Sequence, residues 1–361
     1  MTSNDSNAAQ RARFEPMVVA AGQDGRRLAA LASLALRIGL RGRVYQLAIQ
    51  ARACAPDDVE VAADTQHLIG HSVPRWHFSM LQDAPRNAAF DAAIRRAVTP
   101  GTHVLDIGAG SGLLSMMAAR AGAGRVVACE HYPVIADAAR RIVAANGYDR
   151  QIRIVTGNST ELDRDADLEG HADVIVSEIV SNNLLAEGVL DTLADAAQRL
   201  LAPGGQMIPS GGDVMVALAS WSGAEALRTH TVSGFNFAQF DALAQVPRTV
   251  SIGDPTLLLH SAPTALLAFD FAAPAPAEPH RGNATLVTES GPIGGIVQWI
   301  RLRLDAEGTY ENRPGPGASS HWSAHFYPFD TPLDLPVGAP VHITGVHDGH
   351  RLLLWPQDSA L

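Results

Sequence analysis

The stretch VLDIGAGSG, Val104 to Gly112, reads as a strand that runs into a glycine turn and then into a helix beginning near Leu113. Gly108, Gly110 and Gly112 let the backbone turn tightly and approach a ligand closely, while the helix N-terminus behind them presents free N–H groups. By itself G-x-G-x-G is shared by many nucleotide folds and some plain turns. The next strand, RVVACE, ends on Glu130, twenty residues beyond Gly110. An acidic side chain at that strand end can accept from both hydroxyls of a ribose, an arrangement that occurs with NAD and with S-adenosylmethionine alike. Asp106 favours the second, because NAD folds usually keep that strand position apolar and space their glycines as G-x-G-x-x-G.

Outward from this motif, His103 to roughly Pro209 alternates short β-branched runs (HVLDIG, RVVACE, IRIVTG, ADVIVSE) with longer alanine-rich amphipathic stretches. That alternation predicts an open, mainly parallel, doubly wound sheet. After Pro209 the strand-like segments 213–219, 266–271, 296–304, 341–346 and 351–355 follow one another with glycine and proline between them and no clear crossover helix. They predict an antiparallel β domain, a barrel or a sandwich. Upstream, apolar residues recur at helical spacing from Arg26 to Gln50, the sequence Cys54 to Asp58 breaks the pattern, and a second helical run reaches Leu68. Helix, proline turn and helix resemble one tetratricopeptide unit, which cannot bury its faces alone and must lean on something else; an ordinary helical extension is the alternative. The expectation is an α/β chain in three parts: a helical extension over 1–72, a Rossmann-like domain over 73–209 and a β-barrel-like domain over 210–361.

Composition narrows the partners. The 361 residues suit two domains with an appendage, and 47% apolar content suffices for their cores. A net charge of −10 argues against a bulk electrostatic grip on nucleic acid or an acidic membrane, and a basic protein or peptide is the more natural guest. The two cysteines, Cys54 and Cys129, lie far apart without a metal-ligand pattern, so the default is a reducing, cytoplasmic setting. The apolar stretch Leu28 to Leu40 is too short to span a bilayer and contains Arg37.

Just after the run Ala172 to Val176 comes SEIVSNNLLAEG, with Glu178 and Glu187 nine residues apart. Two uncompensated carboxylates in one cleft raise each other's pKa, so a positive guest makes sense of the pair. A guanidinium fits best, being planar, permanently charged and rich in N–H donors. Taken alone, two solvated glutamates on a loop would be the plainer reading.

With these motifs in order, the chain resembles the protein arginine methyltransferases, continuously from about Arg75 to Pro209 and patchily beyond. RWHFSMLQDAPRNAAFDAAI, Arg75 to Ile94, looks like the family's helix that folds over bound cofactor, with His77, Met80, Asp83 and Arg86 at that motif's spacing. The resemblance implies that Arg86 pairs with the cofactor's methionine carboxylate, that Met80 shapes the pocket around the transferred methyl, and that Ser159 and Thr160 border the adenine. It makes Glu178 and Glu187 the paired acids of the substrate loop. SSHWSAHFYPF resembles the Thr-His-Trp loop, with Ser320 in place of the threonine, and implies that His321 pairs with Asp83 to hold the domains together around the substrate. The subfamily with an N-terminal tetratricopeptide segment is the most similar, because RWHFSMLQD and LDIGAGSG read like its versions and a helical pair precedes them. His67 and His71 stand where better-known members carry two tyrosines, and Asn182 and Asn183 lie within the acidic loop, so the chain also departs from the pattern.

The resemblance implies methyl transfer from S-adenosyl-L-methionine to arginine of a protein or peptide, with Glu178, Glu187, His321 and Asp83 as the catalytic group. Cofactor-binding positions would be His77, Met80, Arg86, Asp106, Gly108, Gly110, Gly112, Glu130, Ser159 and Thr160. The segment Thr231 to Val246 resembles the start of the family's dimerisation arm and implies a homodimer; otherwise Phe235, Phe237 and Phe240 fill the β domain's core. Two other functions remain open: methylation of another nucleophile, such as a ribosomal-protein lysine or a small molecule, and a non-catalytic scaffold that senses cofactor.

Overall fold

The computed structural model describes residues 14–226, 229, 231–244, 246–271 and 280–357. Its first sheet is parallel, with β1 (His103–Ile107), β2 (Arg125–Glu130), β3 (Ile152–Thr156), β4 (Ala172–Ser177) and β5 (Leu201–Ile208) in the order 3-2-1-4-5. All five residues of β1 are buried, because helices cover both faces of a central parallel strand; this is why the run is apolar except at His103 and Asp106. Strand order reverses between β1 and β4, which opens a crevice beyond their carboxyl ends. The glycine turn sits there. Gly112 adopts φ +82° and starts the helix Leu113–Ala121.

The parallel sheet ends at Ile208 and the antiparallel strands start at Gly211. Two eleven-residue strands, Gly211–Trp221 and Ile293–Arg303, pair antiparallel at the centre of a curled, barrel-like sheet. Successive side chains alternate between its faces. Val214, Val216, Leu218, Ile296, Ile300 and Leu302 pack into one core with Val176 and Leu184 of the α/β unit. Met215, Ala217, Val297 and Trp299 face the other way, with Phe326. One shared core therefore joins the two units.

All five strand segments read from the sequence after Pro209 match observed strands to within one residue at an end. Two further long strands were not legible. His280–Val287 (HRGNATLV) is mostly polar, and Ala324–Leu333 (AHFYPFDTPL) contains two prolines that argue against a strand by sequence. At the other end, the helical run expected over 26–50 is two helices, Gly25–Arg37 and Arg41–Cys54, broken at Gly39, which takes φ +76°. With Val59–Ser72 they enclose their own small core of Leu28, Ala32, Leu47, Ala48, Val61 and Leu68. This unit leans on the α/β unit: Tyr45 packs on Val134 and Ile135, and its hydroxyl donates to Asp137. Phe235, Phe237 and Phe240 do not fill a core. They are exposed on a short hairpin and the 3-10 turn after it.

The Gly294–Gly295 bend lets the central strand pass against its neighbour, and a Cβ at Gly295 would overlap the carbonyl oxygen of Tyr327. Gly295→Ala is expected to cost about 1–3 kcal/mol, as overpacking does, read as a melting temperature several degrees lower; an unchanged melting curve would mean the strands can part freely there.

Candidate active site

A cavity of about 410 Å³ lies beyond the carboxyl ends of β1, β2 and β4. Gly108 and Gly110 form part of its floor, Glu130, His131 and Tyr132 one side, and Asn158, Ser159 and Thr160 the far end. The helix Trp76–Gln82 covers it with Trp76, His77 and Met80, and Glu178 and Ile179 form the wall beside the glycine turn. Gly108 (φ +72°) leaves no space for a side chain, since a Cβ there would overlap Ile179. A Cβ at Gly110 would stand 3.8 Å from the Met80 methyl, inside the cradle. Glu130 accepts from the Gly110 N–H (2.9 Å) and the Tyr132 N–H (2.7 Å), which fixes its carboxylate at the rim, and burial raises its pKa.

The covering helix is anchored at its end. Asp83 caps the next helix, Ala84–Ala97, by accepting from the Arg86 N–H at 3.1 Å. The same carboxylate accepts from the His321 N–H (3.0 Å), His321 Nδ1 (2.9 Å), the Ser320 hydroxyl (2.9 Å) and the Tyr310 hydroxyl (3.2 Å). Burial alone would raise the Asp83 pKa, yet these bonds, with His321 first, hold it well below the usual carboxylate range. Burial likewise opposes the charged form of His321, but Asp83 and Glu178 raise its pKa above the ordinary value. Its Nε2 lies 3.6 Å from Glu178 Oε1, so the ring faces a carboxylate at each nitrogen.

Arg86 is buried and already bonded within the chain. Its guanidinium lies beneath the wall, not on the cavity surface, and donates from Nη2 to Glu178 Oε2 at 2.6 Å, with side chains only 2% and 5% exposed. Asp106 sits behind the glycine turn, where it accepts from the Ser115 hydroxyl (2.5 Å) and burial lifts its carboxyl to about 6. Gly112 serves as the helix cap and does not line the cavity. The backbone of Glu187 belongs to the 3-10 turn Ala186–Gly188; its side chain lies outside the described residues, as does that of His71, whereas His67 is exposed.

Sequence reasoning missed Tyr310, whose hydroxyl completes the Asp83 cluster, and Asn312, whose amide holds the Trp322 carbonyl (3.3 Å) and the Ile300 N–H (2.9 Å). Both lie in TYEN, a run with no motif to mark it. Trp76, Ile179 and Thr192 also line the cavity unannounced. The chemistry of the site suits a polar cationic guest. Of its lining side chains, His77 has a buried atom, Nε2, with no protein partner, and two more such atoms lie just behind the lining, Arg86 Nε and Asp106 Oδ1. With the glycine cradle and the rim carboxylate, they fit a ligand that carries a ribose and a charged tail.

The model for "Ribosomal protein L11 methyltransferase (PrmA)" matches residues 91–215, about a third of the chain, over the glycine turn and parallel sheet. The "Arginine N(omega)-methyltransferase" of Streptomyces achromogenes subsp. streptozoticus is 36% identical over 341 residues, 92% of each chain. The chain belongs to the arginine methyltransferase family. It is an S-adenosylmethionine-dependent enzyme of that family. A longer relative, "Protein arginine N-methyltransferase 7" of Oryza sativa subsp. indica, is 33% identical over 64% of this chain, which spans only 35% of it. Among solved structures, the Trypanosoma brucei PRMT1 enzyme-prozyme heterotetrameric complex with AdoHcy superposes with a TM-score of 0.66 at 25% identity, covering 74% of this chain and 86% of that one. The Arabidopsis thaliana protein arginine methyltransferase 10 (TM-score 0.63, 21% identity, covering 74% and 86%) shares the fold. In this arginine methyltransferase, no helix among the described residues is long and apolar enough to cross a membrane, and none of their His, Cys, Asp or Glu side chains cluster to hold a metal.

Two predictions follow from the buried charges. Because the folded pKa of His321 is raised, the stability it contributes is complete below its ordinary value of about 6.5 and is lost as pH climbs through the folded value. The melting temperature should therefore decline above about pH 6.5 with a shallower slope in His321→Asn; parallel slopes would show that the ring is not linked to folding. Arg86→Lys keeps a charge near Glu178 but loses the fork geometry, and calorimetry should show S-adenosylmethionine binding weakened about tenfold, roughly one charge-assisted hydrogen bond. Unchanged affinity would remove Arg86 from cofactor binding.

Proposed function

We propose that the enzyme methylates a terminal guanidino nitrogen of arginine in a basic protein or peptide, with Glu178 as the central acid. The supporting observation is the place of Glu178: on the cavity wall beside the glycine turn, between Arg86 Nη2 and His321 Nε2. In this reading residues 73–209 bind cofactor, 210–361 supply the substrate-side wall, and the helices before residue 73 act as a single tetratricopeptide-like unit.

The cofactor's sulfonium supplies an already activated methyl, so the chain's main task is to hold a nucleophile in line with it. Glu178, joined by Glu187, binds the guanidinium and concentrates electron density on one terminal nitrogen. As the N–C bond forms and the C–S bond breaks, that nitrogen must shed a proton. Glu178, which lines the cavity, is the first acceptor, and His321, held between Glu178 and Asp83, orients it. His77, Met80, Ser159, Thr160 and Glu130 hold and orient the cofactor, with Gly108 and Gly110 giving it close backbone approach; Asp106 and Gly112 shape the turn from behind.

A homodimer belongs to the same proposal. It rests on Phe235, Phe240 and Leu243, large apolar side chains within nine residues of one another and 60–74% exposed. A cytoplasmic setting is the environment inferred from the two unpaired cysteines.

One finding favours a second substrate, free arginine: the relative that matches over 92% of both chains is named for arginine without the word protein. Mass spectrometry of products from a panel of arginine peptides, lysine peptides and free arginine separates these readings; methyl on lysine alone would overturn both. Glu178→Gln preserves shape and removes charge, so kcat should fall about 10²–10³-fold, the usual loss for one transition-state contact. Isothermal calorimetry should find S-adenosylmethionine affinity within a few-fold of wild type, and wild-type turnover in this variant would refute the role of Glu178.

A further inference from the structure

The two asparagines inside the acidic loop have no part in the chemistry above, yet they make several of its hydrogen bonds. Asn183 Oδ1 accepts from the Ser181 hydroxyl (2.6 Å), the Leu185 N–H (3.1 Å) and the Ala186 N–H (3.2 Å), which winds the chain into the turn that leads to Glu187. Leu184 occupies the left-handed region at φ +74° and is fully buried against Gly212 of the β domain. That conformation costs a leucine roughly 1–2 kcal/mol, which burial of its side chain, about 1.5–3 kcal/mol, offsets only if the β domain stays in place.

Asn182 makes the link between domains. Its Oδ1 accepts from the Ser323 N–H at 3.1 Å, next to His321 and Trp322, and its carbonyl accepts from Gln298 Nε2 at 3.0 Å. Trp322 Nε1 donates to the Val180 carbonyl at 3.0 Å, two residues earlier. Gln298 is fully buried on the central strand Ile293–Arg303, where neighbouring inward positions are Ile296 and Ile300. A glutamine in such a row costs free energy; its Nε2 finds the Asn182 backbone carbonyl across the interface, while its buried Oε1 has no partner among the described residues.

We propose that Gln298 and Asn182 are positioning residues that set the distance between the backbone of Glu187 and the carboxylate of Glu178, and so fix the acidic loop to the width of a guanidinium. The proposal rests on the arginine reading above. The β domain thereby tunes substrate geometry through a clamp that leaves the cofactor cavity untouched, since neither residue lines it.

The test uses the full chain, its best arginine substrate from the product panel, and three variants. Gln298→Met keeps the volume and loses the donor to the Asn182 backbone carbonyl; Asn182→Leu loses the side-chain acceptor of the Ser323 N–H; Asn182→Asp retains it. A displacement of about 1 Å in a reacting group can cost about 10²-fold, so Gln298→Met and Asn182→Leu should each lower kcat about 10- to 100-fold. S-adenosylmethionine affinity by calorimetry should stay within about twofold, and Asn182→Asp should recover most of the rate. A general structural role would instead lower the melting temperature and cofactor affinity together, with kcat per folded molecule unchanged, and that result overturns the proposal. So does wild-type kcat in both non-bonding variants. If Gln298→Met fails to fold, the contrast between Asn182→Leu and Asn182→Asp decides. Wild-type enzyme that leaves arginine unmethylated would count against the substrate reading, before any variant is compared.

Discussion

Asp83 receives hydrogen bonds from five donors that reach it from three separate parts of the chain: the Arg86 N–H, the Tyr310 hydroxyl, and the Ser320 hydroxyl with both N–H groups of His321. It caps one helix, ends another and ties both to the β domain. A carboxylate with one or two donors would be a weak tether at 6% exposure, because burial penalises its charge. Five donors reverse that balance, and the depressed pKa is the sign of it. The cover of the cavity is therefore held by the same group that holds the two domains together.

The surroundings of Asp83 are unbalanced in charge. Asp83, Asp106, Glu130 and Glu178 are buried near the cavity, against the guanidinium of Arg86 and the imidazole of His321. An interior this acidic is costly with nothing in it, and burial lifting Asp106 to about 6 is one form that cost takes. Two cations, a sulfonium and a guanidinium, would each relieve it. The site's electrostatics thus favour both reactants for one reason.

The helical unit at the start of the chain reaches the same region from the opposite side. Tyr45 rests on the helix Pro133–Ala145, which follows Glu130, and Val59–Ser72 leads into the covering helix Trp76–Gln82. The cover is consequently fixed at both ends, to the helical unit before it and through Asp83 after it.

Local pattern was enough for the parallel sheet, its glycine turn and the acid at the end of β2, because each depends on residues close in sequence: burial makes β1 apolar, and a tight turn demands glycine. The five strand segments of the second unit were legible for the same reason. His280–Val287 and Ala324–Leu333 were not, since their strand character comes from partners that complete their hydrogen bonds and cover them. A resemblance placed Asp83 beside His321 across 238 positions, but only the folded chain brings Tyr310 to them and turns Arg86 to Glu178. The same holds for Gln298 and the backbone carbonyl of Asn182, 116 residues apart, where nothing in sequence links the two. Sequence determined which groups exist and what local shape each segment takes; tertiary structure decided which charges share a buried volume, because hydrogen bonding and desolvation depend on neighbours that only the packed domains supply.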